Sequence, residues 1–370
     1  MKTINHIAVI GGGVSGLALA IFARKQGIKV TIFEKQSTFS TIGAGVTLWP
    51  NGSFVLEKLC GLSKFTKYAG KPSLIRQLDG HDKVVSEFDI SKLNSLCGLP
   101  TFSILRRDLI YVLVQELKAL KARVYFGRKV GIDDVLKLQD QFDLVVGCEG
   151  RMSSPVREVL YQRTVTPKYQ GFINIIGISQ CRLSQGHDII QDYRSCNNRF
   201  GIVPINKQLC YWAAAWPCEM DRARAESSWQ KEMHQRFNQW PKNVQQALNY
   251  SEAGSVKRIF VHDMDSQPFW HYKNLIMIGD AAHAALPTSG QGACQALEDA
   301  WHLSQVLKSD KALDEVLKDF YNLRISKVSH AQNIGKQVAR QIFFNKESVK
   351  SSGIGVSATQ LSELYMQGLG

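Results

Sequence analysis

Gly11, Gly13 and Gly16 stand at the spacing GxGxxG, directly after the apolar run INHIAVI at 4–10. The stretch LALAIFARKQG that follows reads as a helix closed by Gly27, and KVTIFEK reads as a second strand ending at Glu34. In that context the pattern points to pyrophosphate chemistry. Gly11 permits a tight turn, Gly13 lets the backbone approach a phosphate, and Gly16 lets the helix pack close to the sheet. The free N–H groups and positive dipole end of the helix face the anion. Glu34 is placed to accept hydrogen bonds from both ribose hydroxyls of an adenosine. An acid at this point repels a 2′-phosphate, so NAD or FAD fits better than NADP. The residues expected at this end are Gly11, Gly13, Val14, Ser15, Gly16, Glu34 and Lys35.

A second glycine-rich stretch, GDAAHAALPTSGQGACQALEDA at 279–300, follows the apolar run Leu275–Ile278 and leads into a helical pattern. A plain NAD site needs nothing of this kind, whereas FAD has a ribitol and a ring system far from its adenosine. Asp280, at a strand end, can accept hydrogen bonds from ribitol hydroxyls. The loop Pro287, Gly290, Gln291, Gly292, Ala293 can bring backbone N–H groups to a flavin's pyrimidine edge, where they stabilise negative charge. A side chain there would hold the backbone away.

The order GxGxxG near residue 11, GCEG at 147–150 and GDAAH…P…GQG at 279–292 resembles the FAD-dependent aromatic hydroxylases. These are single-component flavoprotein monooxygenases of the para-hydroxybenzoate hydroxylase type, which include salicylate, kynurenine and tetracycline monooxygenases. The resemblance reaches to about residue 330 and takes in GAGVTLWPNG at 43–52 and Arg106 in ILRRDLI. It implies FAD contacts from Gly45, Arg106 and Gly150. It also implies NADPH or NADH as co-substrate, and hydroxylation of an aromatic or conjugated molecule by O2 through a flavin C4a-hydroperoxide. A related FAD-dependent reductase or oxidase without oxygen insertion is the alternative. The middle motif departs from the family pattern: Glu149 stands for the usual aspartate, and Arg157 lies one residue further on. The two therefore serve either the cofactors or as a structural cap. The resemblance makes His283 scaffold, and Glu298 and Asp299 read as carboxylates that complement a helix dipole. The catalytic residues cannot be named from the sequence.

These residues need a scaffold. The strand–helix–strand opening implies a parallel sheet, and LVV at 144–146 suits a strand buried on both faces. The expected architecture is α/β, α+β overall. A Rossmann-like FAD-binding domain with a parallel sheet (1–70, 101–165 and 271–345) carries an inserted, mainly antiparallel β substrate domain (71–100 and 166–270) and C-terminal helices. Residues 102–120 read as a loop feeding an amphipathic helix, and helix continues after 296 to about 347. The Ser- and Gly-rich tail 346–370 receives no element. Phe200, Tyr211, Trp212, Pro287 and Thr288 are candidate substrate walls, although strand alternation means Tyr211 and Trp212 cannot both face the pocket.

The chain has 370 residues and a formal charge of +13 from 45 basic and 32 acidic residues. The basic residues are dispersed and accompany no nucleic-acid-binding signature, so no nucleic-acid partner is expected. The eight cysteines contain no CxxC pair, which argues against zinc or a disulfide framework and for buried free thiols. No metal site is expected. No run is long and apolar enough to span a membrane and no signal peptide opens the chain, so a cytoplasmic monomer or homodimer is expected.

Overall fold

The computed structural model describes residues 4–39, 43–180, 186–344 and 356–370. Its frame is a six-stranded sheet in the order His271–Tyr272, Leu275–Met277, Leu144–Gly147, His6–Ile10, Lys29–Phe33, Arg123–Tyr125. All pairings are parallel except that of the edge strand His271–Tyr272. Ile7 lies opposite both Val30 and Leu144, which puts the apolar runs in the middle. The helix Val14–Lys25 packs on one side of this sheet against the helix Gly292–Val306, and both are rich in alanine, which permits close approach. Gly27, with φ +81°, takes the chain out of the first helix in the left-handed conformation expected of a helix terminator.

The second sheet has seven strands, Lys257–Asp263, Lys168–Gln180, Leu209–Pro217, Asn198–Pro204, Ile189–Ser195, Leu74–Leu78 and Val84–Asp89 in that order. Every pairing is antiparallel except that between Leu74–Leu78 and Ile189–Ser195. The mixed α/β expectation is met in both sheets. Helices Glu226–Phe237 and Lys242–Asn249 cover the back of the second sheet with Trp229, Phe237, Val244 and Leu248. Its front lines a cavity together with residues of both glycine-rich stretches.

Two segments differ from expectation. Phe102–Leu105, read as loop, is a strand joining Gly45–Leu48 and Ala69–Gly70 in a small antiparallel sheet. Its four residues are all buried, so apolar runs this short carry no period by which to tell strand from loop. The tail also contains a helix, Ala358–Met366, seated against the helices Pro50–Cys60 and Ile90–Cys97. Residues 345–355, where the long helix Leu313–Phe343 was expected to run on and the tail to begin, lie outside the described residues.

The seven described cysteines are free thiols, but only Cys148, Cys210 and Cys294 are buried; Cys196 is exposed and Cys60, Cys97 and Cys218 are half-buried. Cys181 lies outside the described residues. Among the described residues no helix is long and apolar enough to cross a membrane, and no cluster of His, Cys, Asp or Glu is fit to hold a metal.

Candidate functional site

The first glycine loop is built by close backbone contact. Gly11 has φ +103°, and a Cβ there would lie 2.4 Å from the carbonyl oxygen of Cys148. That contact lays the Gly11 turn on the Cys148–Gly150 loop. Glu34 is buried; its Oε2 accepts from Gly12 N at 2.7 Å and its Oε1 from Gln36 N at 2.9 Å. It thus fastens the loop, and its remaining lone pairs are all that is left for a ribose. Gly13, by contrast, faces open space, with nothing within 4 Å of a Cβ placed on it.

Gly13, Val14 and Ser15 line a cavity of about 1030 Å³. Gly45, Arg106, Gly150, Asp280, Pro287, Thr288, Gly290, Gln291, Gly292 and Ala293 line the same cavity. Gly11, Gly16, Glu34 and Lys35 do not; Lys35 is exposed. Arg106 bends its chain over Gly43, and its guanidinium finds no hydrogen-bond or ion-pair partner among the described residues. Burial pulls its pKa down, opposed by the charge of Asp280. Asp280 is held by Arg151, whose Nη2 and Nε donate to its Oδ2 at 2.8 and 3.1 Å. Burial pushes Asp280 up, but Arg151 outweighs it and keeps the carboxylate below its usual range. Arg151 also donates to the carbonyls of His262 and Ala285, tying the GCEG loop to both the second sheet and the 279–292 loop.

Glu149 and Arg157 sit outside the cavity and act as a structural cap. Glu149 accepts from Ser154 Oγ and Val156 N, and Ser154 caps the helix Pro155–Tyr161. Arg157 donates to the carbonyls of Ala281 and Arg151. Arg151 is the arginine that faces the site. Its position directly after GCEG was the available signal, hidden by the expectation of an arginine further on.

His283 is buried, with Nε2 2.5 Å from Asp299 Oδ2. Asp299 also accepts from Gly279 N, and Arg324 grips Asp299 and Glu298 at 2.8 and 2.6 Å. Glu298 further accepts from Lys327 Nζ and from Asn51 Nδ2, and Asn51 donates to Gln291 Oε1 as well. Glu298 and Asp299 are therefore members of a fully buried ionic network, not dipole partners at a helix start. Burial pushes Asp299 up, and His283 and Arg324 overcome it to hold the carboxylate far below normal. The network anchors the 279–292 loop to the long helix Leu313–Phe343.

Of the aromatic candidates, Tyr211 lines the cavity, with its hydroxyl 2.8 Å from Thr47 Oγ1. Trp212 borders it but sends its indole to the back of the sheet, stacked on Phe200 at 5.4 Å and donating to Ser179 Oγ. Phe200 lies wholly in that rear core and does not reach the cavity. It shares the phase of Trp212, so alternation removes both from the front. The sequence reading missed Tyr365 of the last helix, which is buried, lines the cavity and packs on Trp49 at 5.8 Å. Trp49 in turn donates to the carbonyl of Gly290.

The cavity thus has a glycine cradle, a helix start and an arginine that is unpaired among the described residues. A carboxylate at a strand end and a second glycine loop follow. A model of the FAD-binding domain family matches residues 5–322. The chain belongs to the FAD-binding domain family. The aurachin C monooxygenase/isomerase of Stigmatella aurantiaca is 29% identical over 345 residues, covering 89% of this chain and 87% of that protein. Salicylate hydroxylase of Pseudomonas putida is 27% identical, covering 88% and 83%. Klebsiella pneumoniae HpxO, solved with FAD and uric acid, has a TM-score of 0.81 at 20% identity, covering 99% of this chain and 92% of that one. That likeness shows the fold. The open face at Gly13, and the Arg106 guanidinium and buried Gln291 Nε2 that have no partner among the described residues, all suit the family's cofactor.

Proposed function

We propose that the protein is an FAD-dependent monooxygenase that hydroxylates an aromatic or heteroaromatic small molecule with O2 and NADH or NADPH. It works in the cytoplasm as a monomer or homodimer. The balance is substrate C–H plus NAD(P)H, H⁺ and O2 giving C–OH, NAD(P)⁺ and water. The single observation that carries this reading is one cavity with two differently built halves. The cofactor motifs line one half and the front of the seven-stranded sheet lines the other. Several curated relatives, salicylate hydroxylase among them, are named as monooxygenases or hydroxylases. No observation favours a reductase or oxidase.

FAD, when bound, supplies hydride acceptance and activation of dioxygen. This chain's residues bind and position. Gly13 and the helix start at Val14 would hold the pyrophosphate, and Arg106, unpaired among the described residues, would add positive charge for it. Asp280, kept ionised by Arg151, would accept from the polyol. Backbone N–H groups of Gly290–Ala293 would serve the flavin's pyrimidine edge, and Asn51 orients Gln291 among them. Burial holds the Tyr211 phenol far above its usual pKa, so it donates hydrogen bonds and is no base. Apolar side chains around Tyr211, including Ile176 and Val203, exclude water.

The test is to purify the protein and look for bound FAD. NADH and NADPH oxidation is then followed across hydroxylated aromatics and N-heterocycles, with a product gaining one oxygen atom. Asp280→Ala should lose flavin on gel filtration while the wild type stays yellow. Wild-type levels of flavin in that variant would refute the role given to Asp280, and peroxide as the only product throughout the library would refute oxygen insertion.

A further inference from the structure

The front of the seven-stranded sheet changes character along its strands. One cross-strand row is apolar: Ile75 opposite Ile190, and Val203 opposite Tyr211. Tyr211 ends it against the cofactor half, its ring over Gly45. The next row is Asp192, Gly201 and Ala213. Here the floor is low, since a Cβ on Gly201 would meet nothing within 4 Å. The third row is charged: Arg194 lies opposite Arg199, and Asn174 continues it. All the residues named in these rows line the cavity, as do Gln77 and Ser86 on the neighbouring strands.

Arg194 and Arg199 share one carboxylate. Asp192 Oδ2 accepts from Arg194 Nε and Nη2 at 3.0 and 2.7 Å, and its Oδ1 accepts from Arg199 Nε at 2.6 Å. Asp192 is buried, and burial pushing it up is outweighed by the two guanidinium groups, which hold it at about 2. Two fixed cations against one anion leave a net positive charge. Arg194 Nη1 and both Nη atoms of Arg199 have no acceptor among the described residues. The nearby Glu87, also on the wall, is taken by Arg76. Asp192 therefore holds two planar donor groups in place before any ligand arrives, which lowers the entropy cost of binding an anion. From Val203 to Arg199 is four residues of strand, roughly 13 Å at ~3.3 Å per residue, a span that one or two fused rings plus a carboxylate fill.

We propose that Arg194 and Arg199 form an anion subsite that receives the carboxylate of a planar aromatic or heteroaromatic acid, with the ring lying over Gly201 and Ala213. This rests on the reading of the cavity as a substrate site and names the substrate class for it. Arg194 and Arg199 are specificity residues and take no part in the chemistry.

The experiment is calorimetric titration of the FAD-loaded protein without nicotinamide nucleotide. The probes are benzoate, salicylate, anthranilate, nicotinate and quinoline-2-carboxylate, each beside its own carboxamide. At least one acid should bind roughly 10–100-fold more tightly than its amide, the size of a charge-assisted hydrogen-bond pair. Arg194→Gln and Arg199→Gln should each erase most of that preference while leaving amide binding nearly unchanged. If no acid is preferred to its amide in the wild type, the subsite is refuted without any variant. Preference that survives both substitutions refutes it equally. Because nothing turns over, a failure of oxygen insertion would leave these constants standing. A lost acid preference would in turn leave the monooxygenase reading intact.

Discussion

Glu149 and Asp280 are half-buried acids, Asp280 on the cavity wall and Glu149 outside it, and their surroundings treat them oppositely. Asp280 faces Arg151 and is held ionised. Glu149 accepts only from neutral donors, Ser154 Oγ and Val156 N, and burial outweighs these bonds and the charge of Arg157, pushing its pKa from 4.5 up to about 7. The folded chain therefore holds this proton more tightly than the unfolded chain does. The resulting stability is complete below pH 4.5 and is lost as the pH rises to about 7. Glu149→Gln does not titrate, so its stability relative to wild type should climb across that window, by about 3 kcal/mol at ~1.4 kcal/mol per pH unit. Urea denaturation of both proteins at pH 5 and pH 8 reads the difference. A gap independent of pH would mean that water or an unseen cation reaches Glu149 and keeps it ionised.

At the scale of elements, the helix Gly292–Val306 and the long helix Leu313–Phe343 are joined by charge as well as by packing. Arg324, Glu298 and Asp299 are all but wholly buried, so removing one partner strands the others. Arg324→Met should cost about 3–5 kcal/mol, as breaking a buried pair does, and should loosen the loop that Asp299 holds through Gly279 and His283. A loss below about 1 kcal/mol, within the range of exposed pairs, would show that solvent screens the network. This network was invisible in the sequence, because Arg324 lies 25 residues beyond Asp299 and only the fold brings them together. The Gly11–Glu34 unit and the strand–GD–loop–helix unit were legible because each is local, with glycines where backbone meets backbone or ligand. The phase of Phe200 and Trp212 was not legible, since alternation says which residues share a face but not which face is rear core. The last helix did announce itself: Ser357 and Gln360 form a capping box, with Gln360 N donating to Ser357 Oγ at 3.2 Å and Ser357 N to Gln360 Oε1 at 2.9 Å. The surrounding Ser and Gly content masked that signal.

For the whole molecule, function depends on the two sheets keeping their distance across the cavity. Among the described residues the polar contacts that set that distance include Thr47 to Tyr211, Ser103 Oγ donating to the carbonyl of Pro204, Arg107 to Glu252, Arg151 to the carbonyl of His262, and Lys336 to Asp263. Tyr211 is the tightest of these joints. A Cβ on Gly45 would lie 2.2 Å from its ring, which cannot retreat because Ala44, Leu105, Ile178 and Ile205 pack around it. Gly45→Ala should therefore act as an overpacking change, costing about 1–3 kcal/mol, and, since Gly45 lines the cavity proposed to hold FAD, should weaken FAD retention. Tyr211→Leu carries its own cavity cost but removes the obstacle, so adding Gly45→Ala to it should cost much less. A double-mutant cycle by thermal denaturation should return a coupling of about 1 kcal/mol or more, as expected for residues in contact. Equal penalties for Gly45→Ala in both backgrounds would show that the strand Gly45–Leu48 shifts freely and that Tyr211 does not set the spacing of the two halves.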